Sequence, residues 1–275
     1  EACLVGSEMC IRDSNNTEHA ANLFGLKEFG NIYSRLGNPT VGALEARLTA
    51  LEEGAMCVAL SSGTSAVMYS LINIMSQGDN FVTANQLYGG TYTMFDNILP
   101  EYGINSKKVD ITDLEAVEAA IDEKTRAIYC ETITNPGLVV ADISALADIA
   151  HSKGIPLIVD ATFTTSAILK PFEYGADIVV YSLTKWMSGH GRVIAGAVIE
   201  KGGFDWGNGN FPLYDKPDTS YGGMRWGHDL GDLGNVAYSL RLRTVPLRNL
   251  GANMSPDTAF EVMSGLETLA LRMER

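Results

Sequence analysis

The sequence predicts an α/β fold built on a mostly parallel sheet with helices on both faces, and three observations predict it. From residue 38 onward, short apolar runs alternate with segments of helical periodicity, the pattern of successive βα units. Two runs, Ile155-Pro156-Leu157-Ile158-Val159 and Ile178-Val179-Val180, are apolar throughout, as buried strands are. Asp160 ends the first, and the second continues through Tyr181-Ser182-Leu183-Thr184 to Lys185. In a parallel sheet consecutive strands present their C-terminal ends on one edge, so the carboxylate and the amine should converge there.

The elements follow in order. Val41 to Glu53 is amphipathic, with Leu44, Leu48 and Leu51 on one face and Gly54 as its stop. Met56 to Leu60 reads as a short buried strand. Ser61-Ser62-Gly63-Thr64-Ser65 turns from it into a helix through Ile72, closed by Gln77-Gly78-Asp79. Asn80 to Ala84 and Ala127 to Cys130 read as further strands, while Leu114 to Ile121 and Ile143 to His151 read as crossover helices. Gly202 to Gly223 is rich in Gly, Asn, Asp and Pro with interspersed aromatics, and reads as a long ordered loop over a site or interface. Ser255-Pro256-Asp257 supplies an N-cap, a proline at the first helical position and an early acid for a last helix. Along it Phe260, Val262, Met263, Leu266, Leu269 and Met273 recur at helical spacing. An apolar helical face requires a partner layer, so this segment reads as the start of a C-terminal domain that the chain leaves incomplete.

Composition narrows the class of function. The 275 residues are 46% hydrophobic, enough for a substantial core. A formal net charge of -13 without a basic block disfavours nucleic acid and anionic membranes as partners. Cys3, Cys10, Cys57 and Cys130 form no CxxC pair and no dense spacing, so neither a zinc site nor a disulfide scaffold is expected, and a reducing cytoplasm fits. No apolar stretch approaches the ~18 to 20 residues that would span a bilayer.

The chemistry lies at the strand ends. A lysine and an aspartate on neighbouring strand ends supply what pyridoxal phosphate needs, an amine for a Schiff base and a carboxylate for the pyridinium nitrogen. Taken singly, the aspartate could cap the next helix and the lysine could be a solvated surface group. Their pairing on one sheet edge favours the cofactor. Ser62, Gly63 and Thr64 bring hydroxyls and backbone N–H groups to a helix N-terminus, where a phosphate dianion is favoured. Ser182 and Thr184 are two apart on the strand that delivers Lys185, so they share a face and could reach the same phosphate. Tyr88, followed by Gly89 and Gly90, could stack on the cofactor ring. Asn135, before Pro136, could contact the ring oxygen. His190 lacks ligand spacing with the other three histidines and reads as structural.

The strings YSRLGNPT, SSGTSA, LYGGTYT, ETITNP, IVDATF and YSLTKWMSGHG occur in the order and spacing seen in the pyridoxal-phosphate enzymes of cysteine and methionine metabolism, and from about residue 16 to 275 the chain resembles that family. The resemblance implies an aspartate-aminotransferase-like (fold type I) domain. It implies that Lys185 is the Schiff-base lysine and proton shuttle, Asp160 the partner of the ring nitrogen, and Tyr88 the stacking ring and acid-base group. Ser62, Gly63, Thr64, Ser182 and Thr184 would bind phosphate, with Asn135 near the ring hydroxyl. Tyr33 and Arg35 would reach the phosphate of a neighbouring subunit, which implies a homodimer with shared sites, within a tetramer such as relatives favour.

Four segments follow from the same resemblance: 1–14, unlike the family; 15–37, an arm toward the neighbouring subunit; 38–238, the large cofactor domain; and 239–275, the start of the C-terminal domain. TEHAANLFGLKEFGNIYSR, NFPLYDKPDTSYGGM and GLETLALRMER resemble the branch that performs γ-replacement, converting O-acetylhomoserine and sulfide to homocysteine and acetate. Cystathionine γ-synthase or γ-lyase chemistry, or the succinyl ester as substrate, are the alternatives within the fold. Methionine γ-lyases, which the chain also resembles, usually carry Cys where Gly90 stands, and Gly90 argues against that lyase. An incomplete chain acting only as a fold or interaction module is the alternative from another class.

Overall fold

The computed structural model describes residues 14–24, 28, 30, 31 and 33–274. All of the opening segment except Ser14 lies outside them. A short helix, α1 (Thr17–Phe24), comes first. Asn38 then caps α2 (Pro39–Glu52), its side chain accepting from the N–H groups of Thr40 and Val41, with Pro39 in the first turn where no N–H is required. Val41, Leu44 and Leu48 face the core. The stop differs from the expectation. Glu53, not Gly54, takes the left-handed conformation (φ 58°) that ends the helix. Gly54 is needed for room, since a Cβ there would lie 2.8 Å from the Ile199 side chain and 3.0 Å from the Glu200 carbonyl oxygen.

Among the described residues, seven strands form one sheet: β1 (Met56–Leu60), β2 (Asn80–Ala84), β3 (Asn105–Val109), β4 (Thr125–Glu131), β5 (Leu157–Asp160), β6 (Ile178–Tyr181) and β7 (Gly196–Glu200). Their order is β1-β7-β6-β5-β4-β2-β3. Strands β2 to β6 pair in parallel, and β7 runs antiparallel to both of its neighbours, β1 and β6. The mostly parallel α/β sheet is therefore borne out. Strands β2, β4, β6 and β7 are buried at every position. Because successive residues point to opposite faces, continuous burial requires cover on both.

Two strands carry no signal in the sequence. β3 is an edge strand, Asn-Ser-Lys-Lys-Val, with no apolar run and only partial burial. β7 follows a glycine-rich loop and lacks the βα rhythm, because it returns antiparallel. The connecting helices are α3 (Gly63–Ile72), α4 (Gly89–Thr93), α5 (Leu114–Ala120), α6 (Ile143–Ser152) and α7 (Thr165–Ile168), so both expected crossover helices form. Asp113 and Asp142 cap α5 and α6.

The Gly202 to Gly223 segment is ordered, as expected, and contains α8 (Pro212–Asp215). Its aromatics explain the order: Trp206 stacks at 5.1 Å on both Tyr214 and Tyr238, with Phe204 and Phe211 closing the cluster. Glu200, buried beneath it, accepts from the Trp206 indole N–H and the Ser239 N–H, and burial pushes its pKa up to about 7.

The last helical region also departs from the expectation. After α9 (Ala237–Leu242) and α10 (Arg248–Leu250), the chain forms α11 (Pro256–Leu266) and, past a break at Glu267-Thr268, α12 (Leu269–Met273). Ser255 caps α11 by accepting from the Thr258 N–H. The buried face of α11 is Ala259, Val262, Gly265 and Leu266; Phe260 is 62% exposed. That face packs on α2 within this chain, so its partner layer is already present.

Candidate active site

The C-terminal edge of the sheet opens into a cavity of about 670 Å³, within the range of small-molecule sites. Lys185, Asp160, Tyr88, Asn135, Ser62, Gly63, Thr64, Ser182 and Thr184 all line it. Tyr33 and Arg35 do not. Tyr33 is exposed with the Arg35 guanidinium 5.2 Å from its ring centroid, and Arg35 lines a separate small crevice beside Arg243.

Ser62 caps α3. Its Oγ accepts from the Ser65 N–H at 3.1 Å and lies 3.1 Å from Thr64 Oγ1 and 2.9 Å from Ser65 Oγ, while the Ser62 N–H donates to Ser65 Oγ. Three hydroxyls thus gather at one helix N-terminus. Gly63 is required there: a Cβ would lie 2.4 Å from Ser182 Cβ. This close approach brings the two hydroxyl sets of the sequence reading together, although not as expected. β6 ends at Tyr181, so Ser182 and Thr184 lie in the turn after the strand and do not share a strand face. The turn forms because the Lys185 N–H bonds back to the Ser182 carbonyl and the Ser188 N–H bonds back to the Leu183 carbonyl. Thr184 Oγ1 donates to the Ala195 carbonyl and accepts the Ala195 N–H, which ties this turn to the start of β7.

Asp160 ends β5, beside Glu131 at the end of β4. One Asp160 oxygen accepts from the Thr162 N–H at 2.9 Å and the other from the Tyr129 hydroxyl at 3.3 Å. Burial pushes its carboxyl pKa up, and these hydrogen bonds oppose the shift. Lys185 Nζ makes no hydrogen bond or ion pair with any described residue. Tyr88 heads α4, with its ring half exposed at the mouth. Gly90 leaves room for that ring: a Cβ at 90 would lie 2.7 Å from Tyr88 Cε1. Asn135 precedes Pro136 through a cis peptide bond.

Sequence reasoning missed several contributors. Glu131, 6% exposed, accepts from the Tyr88 N–H and the Asn135 N–H; an acid ending an otherwise uncharged stretch of strand was the available signal. Thr162 accepts the Ser182 N–H at 2.7 Å and so joins the two strand ends. Phe163, Trp186 and Ile194 line the cavity and are exposed at its rim. The Lys185 turn is braced from behind: Arg272 donates to the Trp186 carbonyl at 2.6 Å, and a Cβ on Gly265 would lie 2.1 Å from the Ser188 carbonyl oxygen. No sequence pattern signals a contact between residues 86 apart. His190 bonds locally to the Ser188 carbonyl, consistent with a structural part. Leu183 and the Gly202 to Gly223 segment do not line the cavity.

A mostly parallel sheet with an amine that has no partner among the described residues, a half-buried carboxylate and a hydroxyl-lined helix N-terminus around one cavity defines a class, the α/β enzymes that hold a phosphorylated aldehyde. The sequence profile of the Cys/Met metabolism PLP-dependent enzymes matches residues 11–275, and the chain belongs to that family. It is 45% identical over 265 residues to an O-acetyl-L-homoserine sulfhydrylase of Leptospira meyeri, a match covering 94% of this chain and 60% of that protein. A solved Campylobacter jejuni structure, assigned as an O-acetylhomoserine (thiol)-lyase and carrying an N'-pyridoxyl-lysine-5'-monophosphate residue, superposes with a TM-score of 0.89 at 40% identity over 94% of this chain and 63% of that one. A cystathionine γ-lyase of Lactobacillus plantarum, solved with L-serine, gives a TM-score of 0.71 at 33% identity over 87% and 54%. The chain spans about 60% of the length of the curated relatives it matches. The family's cofactor is pyridoxal phosphate, and the donor set fits it: an amine without a partner among the described residues for its aldehyde, a half-buried carboxylate for its ring nitrogen and clustered hydroxyls for its phosphate.

Proposed function

We propose that this chain carries the cofactor site of an enzyme that converts O-acetylhomoserine and sulfide to homocysteine and acetate. The observation that supports it most is the convergence of Lys185, Asp160 and the Ser62 hydroxyl cluster on one cavity, in a chain whose 45% identical relatives bear that activity in their names. When bound, pyridoxal phosphate supplies an electron sink for negative charge at the carbon beside the substrate amine. Ser62, Gly63, Thr64, Ser182 and Thr184 would hold its phosphate, Thr184 by turning its hydroxyl proton from the Ala195 carbonyl toward the phosphate. Asp160 holds the proton on the ring nitrogen, and Asn135 contacts the ring hydroxyl. Lys185 Nζ would hold the cofactor's aldehyde and, with substrate bound, would move protons at the substrate's Cα and Cβ. Tyr88 covers the ring and serves as a second acid-base group. Acetate leaves from Cγ and sulfide adds there, so the ester oxygen is exchanged for sulfur without net oxidation.

The exposed Tyr33 and the half-buried Arg35, set apart from this cavity, suit a contribution to a neighbouring subunit's phosphate, and a dimer with shared sites, assembled as a tetramer, is part of the reading. Residues 15–37 are then the arm, 38–238 the cofactor domain and 239–275 the start of a second domain. Cys57 and Cys130 are buried free thiols, and no helix among the described residues is long and apolar enough to cross a membrane; the thiols suit a place in the cytoplasm.

The fold match to a cystathionine γ-lyase gives the competing reading its footing. Gly90 weighs against a lyase of the type with Cys at this place, because any side chain there displaces the Tyr88 ring. Product analysis separates them. The cofactor-loaded protein given O-acetylhomoserine and sulfide is expected to yield homocysteine, and 2-oxobutyrate as the dominant product, or no product, would overturn the assignment.

A further inference from the structure

Glu131 does something that no residue of the proposed chemistry accounts for. It ends β4, nearly buried, and its two carboxylate oxygens face different turns. Oε1 accepts from the Tyr88 N–H at 2.7 Å, and Oε2 accepts from the Asn135 N–H at 3.0 Å. These are the only donors to it among the described residues, and neither N–H has another partner among them. Tyr88 heads α4 without a side-chain cap, and Asn135 lies in the exposed turn before Pro136. Both side chains line the cavity from the loops that follow two paired strands, one after β2 and one after β4.

We propose that Glu131 is a positioning residue that locks the Tyr88 turn and the Asn135 turn into one unit, each carboxylate oxygen holding one backbone N–H. Hydrogen bonds to an ionised acceptor are about twice as strong as neutral ones, and one planar group cannot rotate to favour one turn without weakening its hold on the other. The two walls of the site are thereby coupled through a single charge. The inference rests on the cofactor reading for what the two side chains are positioned to do; the coupling itself is a property of the cofactor-free protein.

The charge is also poised to change. Burial first, and then the neighbouring Asp160, push the Glu131 pKa up to about 7, against the pull of the two N–H donors. The ionisable groups facing it are Asp160 on β5, Tyr129 and Cys130 on its own strand, and Tyr88 and Lys185 across the cavity. Tyr129 and Cys130 are pushed upward by burial and stay neutral around pH 7.

The test is NMR on the 15N-labelled, cofactor-free protein. The amide protons of Tyr88 and Asn135 are expected to titrate together, with one midpoint at about 7. In Glu131→Gln the single carbonyl oxygen can hold only one of the two N–H groups, so at least one of them is expected to lose protection from solvent exchange by about tenfold or more. In that variant neither amide should titrate in this range. Separate midpoints, or protection of both amides retained in Glu131→Gln, would overturn the proposal. Should the variant fail to fold, the wild-type titration alone decides. Because the measurement uses neither cofactor nor substrate, its failure leaves the assigned reaction standing, and failure of that reaction is read separately from its products.

Discussion

Asp160→Asn is expected to weaken binding of pyridoxal phosphate by on the order of a hundredfold or more, while raising the melting temperature of the cofactor-free protein. Both effects have one cause. Asp160 lies where burial disfavours its charge, with hydrogen bonds from Thr162 and the Tyr129 hydroxyl compensating it in part. Its folded pKa is raised above that of the unfolded chain, so the folded state binds more protons between the two values. Stability therefore falls as pH rises through that window, and above it the full cost of the buried charge is present. Asparagine removes the charge and can keep both hydrogen bonds. If about 1 kcal/mol is relieved, the melting temperature rises by roughly 2–4 °C at neutral pH, and the difference vanishes in acid. With cofactor the sign reverses, because a protonated ring nitrogen loses its counter-charge, a loss of roughly 3 kcal/mol or more. Cofactor titration and calorimetry on both proteins decide the matter. An Asp160→Asn variant that binds cofactor as tightly as wild type would remove Asp160 from the site.

The second large effect is expected at Gly196, the first residue of β7. A Cβ there would lie 2.1 Å from the Ser62 carbonyl oxygen, 2.5 Å from its carbonyl carbon and 2.9 Å from the Gly63 nitrogen. All three are backbone atoms, so no side chain can swing aside. Alanine must push the start of β7 away from the N-terminus of α3, which also carries the hydroxyl cluster. A cost of about 3 kcal/mol, the upper part of the range for overpacking, lowers the melting temperature by roughly 6–12 °C, and cofactor affinity should fall with it. Gly42→Ala provides the contrast: it lies inside α2, a Cβ there meets nothing within 4 Å, and alanine should stabilise the helix by up to about 1 kcal/mol. Equal melting temperatures for Gly196→Ala and wild type would contradict the packing described for the cradle.

How much of this is legible in the sequence depends on whether the signal is local. Buried parallel strands such as β5 and β6 declare themselves as apolar runs, so Asp160, which ends β5, and Lys185, four residues past the end of β6, can be brought to one sheet edge by the topology rule alone. The small-residue turn from Ser61 to Ser65 into a helix is a local pattern, contained within a few residues. The edge strand β3 carries two lysines and no run, so nothing distinguishes it from a loop. The Lys185 turn reads as strand because Ser182 to Lys185 continues a buried segment, and only the return bond from Lys185 to Ser182 reveals the turn. The apolar face after Ser255 reads as wanting a partner because periodicity gives a face without saying what covers it; α2, far earlier in the chain, does. Glu131 and Arg272 act through backbone groups of distant segments, and such contacts leave no spacing in one sequence.

The most direct measurement is the site of covalent cofactor attachment. The protein is incubated with a slight excess of pyridoxal phosphate, reduced with borohydride, digested and mapped by mass spectrometry. The pyridoxyl group is expected on Lys185, with Lys185→Ala unlabelled under the same conditions. Label spread over exposed lysines such as Lys124 and Lys216, unchanged by the substitution, would contradict the assignment of Lys185 as the anchor.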